Sequence, residues 1–88
     1  MQVRRADEVL FEIIDGTAVL VDPEGRELFT LNPVGSMVWE ALPEHGEPAA
    51  LAQHLLPQVS GVALDQLETD ILAFLEELRT AGLVVDRA

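Results

Sequence analysis

From Glu8 to Ile14 the chain reads EVLFEII, apolar at nearly every position and rich in β-branched and aromatic residues, and it is followed by Asp15-Gly16. A run of this kind closed by Asp-Gly predicts a strand that ends in a two-residue hairpin turn. Thr17 to Asp22, TAVLVD, then reads as the returning strand. A second turn falls at Pro23 to Gly25, and Arg26 to Leu31, RELFTL, reads as a third strand. The expected sheet is a three-stranded antiparallel meander whose third strand is an edge unless something covers it.

At Asn32-Pro33 the apolar spacing changes from strand-like to helical. Asn is among the best N-caps, and Pro is favoured at the first helical position because its missing N–H would have had no partner there. Val34, Met37, Val38, Ala41 and Leu42 fall on one face of this first helix, and Trp39 is expected off the centre of that face, covering its flank. A short second helix is expected from about Pro48 to Leu56, stopped by Pro57. The longest helix should run from about Leu64 to Ala81, with Gly82 as a left-handed cap. Leu83 to Asp86 reads as a terminal strand or as a segment packed on the core. The order predicts an α+β domain over residues 1–88, a three-stranded antiparallel sheet followed by three helices that cover one face of it. A short second helix before a long third one is winged helix-turn-helix-like.

Composition narrows the choice of partners. A chain of 88 residues buries only about 60 to 65 per cent of its unfolded surface, so its 49 per cent apolar content has to be well organised. Sixteen carboxylates face five arginines and no lysine, for a formal charge of −11. Phosphates and anionic membranes attract cations, so nucleic acid and membrane are both disfavoured as partners. Cysteine is absent, which excludes disulfides and thiolate metal sites. No run reaches the roughly 18 apolar residues of a membrane span and no secretory signal opens the chain, so a soluble cytoplasmic protein is expected.

Little here is suited to catalysis. His45 lies in a turn-rich loop and His54 in a short helix, each read as a solvated or capping residue, and Ser36 and Ser60 lack the partners of a nucleophile. Glu44, His45 and Glu47 are close in sequence but read as a solvated loop. No phosphate-cradling glycine loop occurs, so neither enzyme activity nor a cofactor is expected.

Two surfaces are left over. In the strands, Val9, Phe11 and Ile13 share one face while Leu10 and Ile14 share the other with Glu12, so both faces are largely apolar. Three helices cover one face, and the second should meet a partner, a second copy in a homodimer, or the terminal segment. On the long helix, Leu64, Leu67, Ile71, Phe74, Leu75 and Leu78 form the core stripe, and Leu72 falls outside it beside Glu68 and Arg79. The third strand offers its backbone edge to an extended peptide. Four such hydrogen bonds supply on the order of 2 to 6 kcal/mol. Micromolar binding needs about 8 kcal/mol, so apolar anchors must supply the difference.

Leu31 to Leu42, LNPVGSMVWEAL, preceded by an apolar hairpin and followed by DILAFLEELRTAGLV, resembles the PqqD-like family of peptide chaperones, the RiPP recognition elements. The resemblance covers about Val9 to Val85 and rests on the order and spacing of these pieces. It implies a domain that binds the leader segment of a ribosomally made precursor peptide and presents it to a maturation enzyme. The leader would add as a strand to the third strand, with Arg26, Glu27, Leu28, Phe29 and Thr30 on one side of a groove and Glu68, Leu72, Leu75 and Arg79 on the other. Asn32-Pro33-Val34-Gly35 resembles the general and lasso-type members, the latter acting beside a leader peptidase, more than those that serve radical-SAM enzymes in pyrroloquinoline quinone synthesis. A winged-helix DNA-binding regulator is the other reading of the element order, and the acidic long helix opposes it. On this reading Leu72→Asp, or a proline at Phe29 that removes a strand N–H from the edge, should weaken leader binding.

Overall fold

The computed structural model describes residues 1–87. Its elements, in chain order, are β1 (Val3–Arg5), β2 (Leu10–Ile14), β3 (Thr17–Val21), β4 (Leu28–Thr30), α1 (Pro33–Ala41), α2 (Pro48–Leu55), a 3-10 turn at Leu56–Gln58, α3 (Leu64–Thr80) and β5 (Val84–Asp86). The expected meander is present as β2-β3-β4, all antiparallel. Its first turn is the one the Asp-Gly pair predicts, with Asp15 at φ 52 and Gly16 at φ 80, both in the left-handed region that the tight turn requires. The third strand is shorter than its apolar pattern, because Arg26 and Glu27 belong to the turn in which the Asp22 carboxylate accepts the Arg26 N–H.

Two local signals set the helix boundaries. Asn32 caps α1, its side-chain oxygen accepting the Gly35 N–H at 2.7 Å, with Pro33 as the first helical residue. α3 ends in a left-handed Gly82 at φ 78; the Leu83 N–H returns to the Leu78 carbonyl at 2.9 Å and the Gly82 N–H to that of Arg79 at 3.0 Å, which gives two of the helix's last carbonyls a partner.

The N-terminal strand is absent from the sequence reading. Val3, Arg4 and Arg5 pair with Asp86, Val85 and Val84 in a separate two-stranded sheet that joins the two ends of the chain. Val3 also donates its N–H to the Gly46 carbonyl at 2.9 Å, and a Cβ at Gly46 would stand 2.5 Å from the Val3 carbonyl oxygen, so only glycine permits this approach.

One apolar core binds the layers together. Ala18 and Leu20 of β3 face inward against Val38, Trp39 and Leu42, with Leu51, Leu55, Leu67, Ile71, Leu75, Leu78 and Leu83 beneath them. Trp39 departs from expectation: it is fully buried, not draped over the flank of α1. Gly35 and Ser36 are buried as well, while Val34 and Met37 are only half-buried. The buried face of α1 is therefore rotated from the one apolar spacing suggests, because small residues let the helix approach its neighbours and the largest apolar surface gains most from burial. Leu64, expected in the stripe of α3, is exposed at its first turn.

Candidate functional site

The hydrogen-bonding phase of β4 decides which of its backbone groups are free. Leu31 donates its N–H to Ala18 and Asp22 donates to Glu27, and with Leu20 opposite Phe29 these are the hydrogen-bonded pairs of an antiparallel ladder. Phe29 thus turns its N–H and carbonyl toward β3. The alternate residues, Leu28 and Thr30, turn theirs outward, and among the described residues no strand pairs with that outer edge. The terminal sheet of β1 and β5 lies elsewhere and does not close it. A proline at Phe29 would consequently break the internal ladder instead of the outer edge, which corrects the expectation from sequence.

Side chains alternate in the same way. Phe29 is half-buried against the core, whereas Leu28 is 69% exposed and shares the outer face of the sheet with Leu10, at 71%, and with Ile14. Glu12 stands among them. The second apolar face expected from the strand pattern is thus exposed, and among the described residues the terminal segment does not cover it. Arg26 and Glu27, the remaining predicted residues of this strand, are exposed in the preceding turn, and Arg26 approaches Glu24 at only 3.9 Å.

The predicted residues of α3 are placed less favourably. Leu75 is fully buried in the core, so no guest can touch it without displacing the packing. Leu72 is 41% exposed, as its position outside the stripe implies, and Arg79 bonds to Asp86 of β5 at 2.9 Å and to Glu76 at 2.8 Å. These carboxylates raise the Arg79 pKa above its ordinary value, Glu76 contributing most. Glu68, Leu72 and Arg79 sit about 120 to 160° around the helix axis from Phe74, at roughly 100° per residue.

Phe74 marks the flank turned toward the start of α1. There a cleft of about 340 Å³ is lined by Asn32, Val34, Gly35 and Val38 of the β4–α1 segment, by Val59 and Val62 of the connection into α3, and by Leu67, Asp70, Ile71 and Phe74 of α3. The sequence reading assigned Phe74 wholly to the core and singled out Asp70 for no role at the site. What could have found them was Gly35, where a Cβ would meet the Phe74 ring at 2.9 Å. Gly35 therefore signals a close approach between α1 and α3.

Elsewhere the arrangement is structural. Arg5 donates to the Trp39 carbonyl and stacks over the rings of Phe11, at 4.4 Å, and Trp39, at 4.9 Å. Burial lowers its pKa, with Glu40 opposing the shift. His45 and His54 stack with ring centroids 4.6 Å apart, and among the described residues no group of three His, Cys, Asp or Glu side chains could hold a metal ion. No helix of the described residues is long and apolar enough to cross a membrane.

Comparisons with known proteins bear on the open edge. A family model described as Coenzyme PQQ synthesis protein D (PqqD) matches residues 17–84. The chain is similar to a solved structure of TbiB1 in complex with the TbiA(beta) leader peptide, with a TM-score of 0.85 and 28% identity over 97% of this chain and 98% of that one. It is also similar to a lasso peptide synthetase B1 complexed with the leader peptide, with a TM-score of 0.79 and 28% identity over 97% and 99%. No curated protein matches the chain.

Proposed function

The chain belongs to the PqqD family, and we propose that it is a recognition domain for the leader segment of a ribosomally made precursor peptide, of the kind used in lasso-peptide maturation. One observation carries this reading: the outward N–H and carbonyl groups of Leu28 and Thr30 have no strand partner among the described residues, in a fold that two relatives use with a leader peptide bound.

An unpaired strand edge selects for extended peptide over folded surfaces, because its hydrogen bonds are spaced for a second strand. The domain needs no chemistry of its own for this task. It lowers the conformational freedom of the leader and holds the adjoining segment for a separate maturation enzyme, a leader peptidase in the lasso case. The charge of −11 favours leaders with cationic residues, since these approach with a favourable long-range field. Of the residues predicted from sequence, Leu28 and Thr30 serve the edge, Phe29 holds that strand to β3 and the core, Arg26 and Glu27 serve its approach, and Leu75 acts from beneath as support.

Fluorescence polarisation of labelled leaders from precursor genes adjoining this one tests the reading. Binding that saturates, that is weakened by a proline on the outward edge and that leaves the far-ultraviolet spectrum unchanged supports strand addition. Equal binding of the wild type and a folded edge variant would sink it.

A further inference from the structure

We propose that β2 is a second strand-addition edge, open to an edge strand of a different protein in which a cationic residue sits between apolar ones, and that Glu12 selects this partner against a second copy of the chain.

The phase of the ladder leaves this second edge unpaired. Ala18, Leu20 and Asp22 turn their backbones toward β4, so Thr17, Val19 and Val21 turn theirs toward β2, where they meet Ile14, Glu12 and Leu10. Phe11 and Ile13 therefore direct their N–H and carbonyl groups away from the sheet, and among the described residues no strand pairs with them. The edge lies on the far side of β3 from β4, roughly 10 Å away at about 4.8 Å per strand. A strand added here leaves the β4 edge free and does not depend on what binds there.

Exposed apolar side chains stand on both sides of β2. Phe11 and Ile13 remain 42% and 37% exposed on the inner face although their partners Leu20 and Ala18 are fully buried, and Leu10 and Ile14 are exposed on the outer one. A helix or a flat surface would cover one face of the strand only. An added strand flanks both, since its own side chains alternate as those of β2 do. An edge strand already fixed in a folded protein suits so short a ladder better than a free peptide, because it has less conformational freedom to lose.

Charge decides which strand fits. Glu12 is the one charged residue of β2, and among the described residues no ion pair engages its carboxylate. Two copies related by a two-fold axis cover all of Leu10 to Ile14 only with Phe11 opposite Ile13 and Glu12 opposite Glu12, a non-hydrogen-bonded pair in which like charges are destabilising. A shift of two residues one way brings in Val9, whose N–H is given to Ala6 at 3.3 Å; the other way brings in Asp15, which has left the strand at φ 52. The charge of −11 on each copy adds long-range repulsion. A strand with Lys or Arg opposite Glu12 escapes these penalties and gains a cross-strand ion pair.

The full chain carrying Glu12→Lys supplies such a strand in folded form and serves as the probe. In sedimentation velocity over a concentration series, wild type mixed with Glu12→Lys should associate one to one about tenfold more tightly than either chain with itself. Amide exchange at Phe11 and Ile13 should slow in the mixture. Ile13→Pro in the probe, shown to be folded by circular dichroism, removes an outward N–H and should abolish the association. A mixture no more associated than the separate chains would overturn the assignment. So would association that survives Ile13→Pro, or that leaves exchange at Phe11 and Ile13 unchanged, a readout that stays decisive should Ile13→Pro fail to fold.

Discussion

The hydroxyl of Ser36 accepts the backbone N–H of Ala18 at 2.9 Å and donates to the Leu31 carbonyl at 3.3 Å, fully buried. Ala18 and Leu31 would otherwise exchange two hydrogen bonds across the β3–β4 ladder, and only the one from Leu31 to Ala18 is made. The serine occupies the place of the second. It lets β4 leave the sheet and enter α1 within two residues without stranding a backbone group, and so it fixes where the open edge stops.

Ser36→Ala should therefore leave a buried N–H and a buried carbonyl without partners. The expected cost is about 1 to 3 kcal/mol, read as a lower urea midpoint with an unchanged slope. A loss within about 0.3 kcal/mol would mean that the strand-to-helix joint does not depend on the hydroxyl.

The two faces of β4 predict opposite results for two prolines. Thr30→Pro removes an outward N–H next to a residue already in a strand, which proline tolerates. It should keep the fold and weaken leader binding roughly three- to tenfold, the loss of about one hydrogen bond. Phe29→Pro removes the N–H directed at Leu20 and should instead lower thermal stability. Polarisation titration beside thermal melts separates the two outcomes.

Arg5 ties the N-terminal strand to α1. Its guanidinium satisfies the Trp39 carbonyl, one of the last four of the helix, and lies over the rings of Phe11 and Trp39. Arg5→Met should cost about 1 to 3 kcal/mol from the lost charged hydrogen bond. Arg5→Lys should recover only part of it, because an ammonium cannot present the planar two-nitrogen fork. Chemical denaturation of both variants, with full recovery by lysine as the adverse result, checks this.

Gly46→Ala places a methyl group against the Val3 carbonyl and should detach β1 from its seat. Amide exchange at Val3 and Val85 should accelerate while exchange in the centre of α3 stays slow, a local opening and not a global one. Uniform acceleration would show that the terminal sheet and the core open together.

Trp39 is the largest fully buried side chain, and its indole N–H has no partner among the described residues. Trp39→Phe forfeits apolar contact but removes an unpaired donor, so its cost should fall below the roughly 3 to 5 kcal/mol expected of Trp39→Ala. Equal losses for the two would show that the indole N–H is satisfied in solution.

What the sequence determined by itself is what depends on neighbours along the chain. Asp15-Gly16 specifies its turn, Asn32-Pro33 the start of α1 and Gly82 the end of α3, because each acts through hydrogen bonds and dihedral preferences within a few residues. The periodicity of α3 likewise separates buried Leu67, Ile71 and Leu78 from exposed Leu72. Only the tertiary structure decided which face of α1 is buried, since Gly35 and Ser36 matter by being small and no hydrophobic pattern counts them. It alone joined Val3 to Asp86, a pairing between chain ends that no local preference encodes. It also turned the Phe74 flank of α3, not the Leu72 flank, toward the start of α1, because the orientation of a helix about its axis follows from how the whole core fills its volume.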